Sequence, residues 1–148
     1  MYSNGIQMYR KTNVVTADPK RLVLMCYEGA IDCLKIGKQK LTENDYESKG
    51  KHIAKARDII YELKASLNFE KGETIAKNLD SLYNYMLRRI IEGDLTQDIQ
   101  ALEEVIGILE ELKSAWDEIS HEHKNVVVSD ASAPKVEETD EIVSYSVA

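Results

Sequence analysis

None of the apolar stretches in these 148 residues approaches the ~18 needed for a membrane-spanning helix, so no span is predicted. The start Met1-Tyr2-Ser3-Asn4-Gly5 lacks a basic segment followed by an apolar run, which predicts no secretory signal and a cytoplasmic protein. Excess positive charge is missing too. The net charge is −7 and the pI near 5.0, so nucleic acid is excluded as the main ligand, because phosphate binding needs a basic surface. The local group Lys49, Lys51, His52, Lys55 and Arg57 reads as a solvated helix face. Cysteine is scarce: only Cys26 and Cys33, seven residues apart. On one helix they would lie about 10.5 Å apart, too far for a disulfide, so they are expected to be buried thiols in a reducing compartment.

Catalytic chemistry is equally absent. Helical-bundle metal sites pair Glu-x-x-His motifs from two helices. This chain has one, Glu118-Ile119-Ser120-His121, and His52 is preceded at that spacing by Lys49. His121 and His123 are two apart and would not share a helix face. There is no Gly-rich phosphate loop after a strand, and Ser66, Ser81 and Ser114 have no companion base or oxyanion motif. The expectation is no enzyme, no cofactor and no metal; a metal-dependent bundle enzyme has only the half-motif in its favour.

What remains is helical periodicity. Asp18-Pro19 is an N-cap followed by proline at the first helical position. From there Leu22, Met25, Cys26, Gly29, Cys33 and Ile36 form a row to about Leu41, with Leu24, Tyr27, Ile31 and Leu34 in a row beside it. Asn44 and Glu47 are spaced as a capping box. The helix they open carries Ile53, Ala56, Ile60, Leu63 and Leu67 to about Asn68. Residues 70–73 break the pattern. A third helix runs to about Glu92, with Gly93 suited to its C′ position. Thr96 is placed to cap a fourth, with Ile99, Leu102, Ile106, Leu109, Leu112, Trp116 and Ile119 as its stripe. Glu103, Glu104, Glu110 and Glu111 fall on its solvated face. The connections are short and no strand signal is credible. The predicted fold is all-α, an antiparallel up-down four-helix bundle over 18–123. An irregular segment, 1–17, precedes it. An acidic tail, 124–148, of net charge −3, follows; its composition predicts disorder, the rival being docking of Ile142-Val143-Ser144-Tyr145.

The third helix is the unusual one. Leu79, Leu82, Tyr83, Met86 and Ile90 form one stripe, flanked by Tyr85 on one side and by Leu87 and Ile91 on the other. The apolar arc covers roughly two-thirds of the circumference, against the ~100° that a surface helix buries. Such a helix can serve a core and a second apolar partner at once. Tyr27, Tyr61, Tyr83 and Tyr85 add amphipathic rings of the kind used at interfaces.

Six segments in this order carry a family resemblance: TADP at 16–19, LVLMCYEGA at 22–30, KARDIIYEL at 55–63, SLN at 66–68, IAKNLDSLYNYMLRR at 75–89, and Trp116 closing the last helix. Together they span about residues 9–119, and the chain resembles the FliS family of flagellar export chaperones. Departures are Cys26 where leucine is usual, Gly72-Glu73 where the family commonly has two glycines, a Tyr9 without its usual surroundings, and the added acidic tail. The resemblance implies a bundle that binds the C-terminal, helix-forming region of flagellin one to one and prevents premature polymerisation. Carried over by position, the binding residues would be Leu67 and Asn68, then Asn78, Leu79, Leu82, Tyr83, Met86 and Arg89, with Tyr85 at the exposed edge. Ile6 and Tyr9 would belong to an N-terminal segment that occupies the surface when the client is absent. A second reading is a regulatory adaptor for an export-gate component or an anti-sigma factor. The sequence leaves a homodimer of the client-free protein open.

Overall fold

A computed structural model of the chain describes residues 18–129, with side chains through Ile119. Ile6, Tyr9, the tail beyond residue 129 and the side chains of His121 and His123 lie outside the described residues. Four helices follow one another: α1 (Pro19–Thr42), α2 (Tyr46–Ala65), α3 (Phe69–Thr96) and α4 (Ile99–Ser129). No strand occurs among the described residues. Each helix packs on two neighbours, α1 on α2 and α4, and α3 on α2 and α4, giving the antiparallel four-helix bundle.

The caps explain where the helices begin. Asp18 accepts a hydrogen bond from the Arg21 amide at 2.8 Å, with Pro19 at the first helical position, as its sequence predicts. Elsewhere the boundaries are corrected. Asn44 sits at φ 60°, and Asp45, not Asn44, is the N-cap of α2, accepting from the Ser48 amide. Asn68 does not end α2; its side chain accepts from the Glu70 and Lys71 amides and so caps α3. Gly93 is not past the end of α3 but inside it. Gln97 takes the left-handed terminal conformation at φ 57°. A Cβ on Gly93 would lie 3.0 Å from the Leu102 side chain, so this glycine lets α3 and α4 approach closely. Thr96 ends α3 with its hydroxyl on the Glu92 carbonyl, and Asp98 caps α4. At each cap the short Asp or Asn side chain reaches the amides two or three residues on; Asn44 fails because its left-handed backbone places it in the turn before α2.

The two rows that the sequence sets side by side on α1 are told apart by burial. The core side is Val23, Tyr27, Ala30, Ile31, Cys33, Leu34, Gly37 and Leu41, essentially the second row. Met25 and Gly29 of the first row are only partly covered, and Ile36 is 41% exposed. The remaining core is Ile53, Ile60 and Leu63 from α2, Met86 and Ile90 from α3, and Leu102, Val105 and Leu109 from α4. Trp116 donates its indole N–H to the Lys20 carbonyl at 3.1 Å, fixing α4 to the start of α1. Lys49 is a further correction. It is buried rather than solvated, and its ammonium meets Asp94 of α3 at 2.7 Å and the Asp94 carbonyl at 3.3 Å. Cys33 is buried, Cys26 half-buried, and the two are not bonded to each other.

Candidate interaction surface on the third helix

The region 70–73 that breaks the sequence pattern also breaks the helix. Glu73 adopts φ 44° and ψ −116°, so α3 is a short capped turn joined through this residue to a long straight segment. That segment turns Ala76, Tyr83, Met86, Leu87 and Ile90 into the bundle. Tyr83 and Met86, expected at the binding surface, are 1% and 0% exposed. Their place on the stripe is the one that faces the core, and in this client-free fold they present no surface. The Tyr83 hydroxyl meets the Tyr27 hydroxyl of α1 at 2.8 Å, across the diagonal of the bundle. Burial pushes the Tyr27 phenol up to about 12, and burial with the neighbouring Tyr27 phenol pushes Tyr83 up as well. Both therefore stay neutral and satisfy each other, which a buried hydroxyl needs.

The other expected residues occupy different positions. Leu67 is buried in the main cluster at the end of α2, and Asn68 is occupied in capping α3. Asn78 is exposed, and Leu79 and Leu82 are half-buried. Helical phase puts Asn78, Leu79, Leu82, Tyr85 and Arg89 on one flank of the core stripe. That flank faces α4: Glu104 accepts from the Tyr85 hydroxyl and, at 3.2 Å, from the Arg89 Nε. Arg89 also pairs with Glu92 at 2.6 Å. The Tyr85 and Arg89 contacts hold the Glu104 carboxyl below the usual carboxylate range, the Tyr85 hydrogen bond first. The sequence reading missed Ile75, which shares this flank and is 39% exposed. Its i, i+4, i+7 spacing to Leu79 and Leu82 was the available signal. On α4, Ile108 and Leu112 are partly covered and pack against the core beside this flank. The α3–α4 seam thus has a charged, closed end at Tyr85, Arg89 and Glu104. Its other end, at Ile75, Leu79 and Leu82, is apolar and incompletely covered.

The seam on the other side of α4 is different in kind. Between α1 and α4 lies a cleft of about 480 Å³, lined chiefly by Glu28, Asp32, Lys35, Glu110, Lys113 and Asp117. Ion pairs cross it, Lys35 to Glu110 at 3.4 Å and Lys113 to Glu28 at 3.6 Å. It offers solvated charge, worth little per pair, one hydroxyl, Ser114, and no histidine or thiol in its lining. No group of His, Cys, Asp and Glu among the described residues is arranged to hold a metal ion. Among them, too, no helix is long and apolar enough to cross a membrane.

Known proteins bear on this surface. The family described as flagellar protein FliS matches residues 2–123. The chain is 39% identical over 130 residues to the flagellar secretion chaperone FliS of Vibrio cholerae, covering 85% of this chain and 96% of that protein. It is 40% identical over 126 residues to the flagellar secretion chaperone FliS of Salmonella typhimurium, covering 81% and 93%. Against the Bacillus subtilis protein of the same name the identity is 31% over 113 residues, covering 76% and 84%. An all-helical bundle with an apolar seam, a match across nearly the whole helical region and relatives at this level of identity agree: the chain belongs to the FliS family.

Proposed function

We propose that this chain is a cytoplasmic flagellar export chaperone whose client is the C-terminal helical region of flagellin, bound one to one so that it cannot polymerise before secretion. The family is one of secretion chaperones, not enzymes. One observation carries the reading to a surface. The long segment of α3 leaves Ile75, Leu79 and Leu82 incompletely covered on its α4 side, after its core side is already filled. Amphipathic segments bind by laying apolar residues at helical spacing along such a seam. Asn78 and the Arg89–Glu104 pair border it with polar groups that can register a client helix. Tyr83 and Met86 act from beneath, by holding α3 in place. Leu67 and Asn68 act by fixing where the helix starts.

The test is calorimetric titration of a peptide covering the last ~40 residues of flagellin against Leu82→Asp. Burying a leucine contributes about 1.5–3 kcal/mol, so its replacement by a charge at the seam should weaken binding at least ~10-fold. Unchanged binding by a folded Leu82→Asp variant moves the client off this seam.

A further inference from the structure

The α2 side of α3 carries a second incompletely covered surface, which the core does not use and which meets the proposed client seam only where Arg88 leans on Tyr85. Two ion pairs join α2 to α3, Lys64 to Asp80 at 3.3 Å and Lys49 to Asp94 at 2.7 Å. Between them the inner side of the seam is filled by Ile53, Ala56, Ile60 and Leu87, and Arg57 and Arg88 stand along its outer edge. Arg57 of α2 makes no close ion pair among the described residues, the neighbouring Asp58 carboxylate acting on it only at longer range, and its buried Nε has no hydrogen-bond acceptor among them. Arg88 of α3 is exposed, leans on the Tyr85 ring at 5.8 Å and also lacks an ion pair among the described residues. In helical phase with Arg88, further along α3, are Ile91 and Leu95, 36% and 78% exposed. Across from them Tyr46 of α2 is 48% exposed, and a Cβ on Gly50 would meet nothing within 4 Å. The surface therefore reads, along its length, as unpaired arginine followed by uncovered apolar residues. It fits a segment in which carboxylates precede aliphatic and aromatic side chains.

The chain itself has such a segment. Glu137, Glu138, Asp140 and Glu141 are followed by Ile142, Val143 and Tyr145. We propose that this acidic-then-apolar stretch docks along the α2–α3 seam of its own chain, carboxylates on Arg57 and Arg88, Ile142 to Tyr145 toward Ile91 and Leu95. The polarity and the reach agree. α4 delivers the chain at the bundle end where α2 finishes, since Trp116 is fixed to the start of α1 and α2 runs antiparallel to α1. From Trp116 to Ser129 the helix rises about 20 Å, and Arg57 lies about 12 Å inside the end of α2. With a diagonal crossing of about 13 Å, the path from Ser129 to Arg57 is roughly 35 Å. Residues 130–141 span up to about 40 Å, so the carboxylates arrive at the arginines and the apolar residues pass beyond them. A tethered segment works at an effective millimolar concentration, which makes a modest seam sufficient. The α3–α4 seam is a poor alternative host, because Arg89 is already held by Glu92 and Glu104, and Glu111 adds further like charge.

The test uses the full chain with Tyr145 replaced by photoreactive p-benzoylphenylalanine and no client present, so it is independent of flagellin binding. Irradiation followed by peptide mapping should give cross-links within one chain, to residues 46–57 or 88–95. Their yield should fall at least about five-fold in 1 M NaCl, where the Debye length is near 3 Å. The triple change Glu137→Gln, Glu138→Gln, Glu141→Gln, which leaves the bundle untouched, should abolish them. So should Arg88→Glu, an exposed site that keeps the test valid should Arg57→Glu fail to fold. Cross-links on the α3–α4 side, scattered cross-links, cross-linked dimers, or a yield indifferent to these changes would each overturn the proposal.

Discussion

The core face and the α4-side flank of α3 are built from the same kinds of residue and do opposite things. Met86, Leu87 and Ile90 on the core face are 0–5% exposed and fix the helix in the bundle. Leu79 and Leu82, one turn away, are only half covered, and Ile75 less than that. Apolar type does not decide which role a residue has. Its angle from the Tyr27–Tyr83 axis does, because that axis points through the centre of the bundle. A helix with an apolar arc wider than its core requires can carry a fold and a binding surface together.

The sharpest way to break this comparison is to place the same charge on each side. Met86→Asp should unfold the protein. A buried methionine reduced to alanine already costs 2–5 kcal/mol, and an unpaired carboxylate adds to it, so at least ~4 kcal/mol is expected. Circular dichroism at 25 °C would show lost helicity. Leu82→Asp should instead keep the helical signal, lose no more than about 1–2 kcal/mol of stability, and lower client affinity at least ~10-fold. A folded Met86→Asp, or an unfolded Leu82→Asp, erases the distinction between the two faces.

The bundle, its four helices and the odd breadth of the α3 arc were all legible in the sequence, because period and short connections are local properties. The assignment of single residues within the arc was not. Tyr83, Met86, Leu79 and Leu82 lie within about 100° of one another, and only the position of α4 separates core from edge. On α1 the same limit left the two adjoining rows unranked, since Met25, Gly29 and Ile36 are as periodic as Tyr27, Ile31 and Leu34. Lys49 was misjudged because its partner Asp94 is 45 residues away. Ile75 was passed over because the break at 70–73 drew the start of the helix away from it.

Within the core face, Tyr83→Phe tests the diagonal tie. It leaves the Tyr27 hydroxyl buried without a partner, at a cost of about 1–3 kcal/mol, and the double variant Tyr27→Phe, Tyr83→Phe should recover part of that loss. The pair also sets an alkaline limit. The Tyr27 phenol is raised from 10.0 to about 12 in the folded state, so the fold binds that proton more tightly than the unfolded chain does. The corresponding stabilisation is complete below about pH 10 and is lost as pH rises through about 12. Denaturation followed between pH 9 and 12 should show this fall in the parent and a flatter profile in the double variant. Equal slopes would remove the pair from the account of the core face.

The smallest effect lies where the two faces begin. Glu73 holds φ 44° and ψ −116° directly after the buried Gly72, a conformation that an L side chain adopts only under strain and glycine adopts readily. Strain of this kind costs on the order of 1–3 kcal/mol, while glycine would add about 0.4–1 kcal/mol of unfolded-state entropy. Glu73→Gly should therefore stabilise the protein by about 1 kcal/mol, seen as a higher urea midpoint at constant m-value. Glu73→Ala keeps the Cβ and should give no such gain. Because the break sets the phase at which the long segment of α3 leaves the cap, relief of strain without change of geometry should leave client affinity intact. A drop of about 1 kcal/mol in Glu73→Gly, the ordinary penalty of glycine inside a helix, would mean that α3 runs unbroken through this residue and that its two faces are set by the bundle alone.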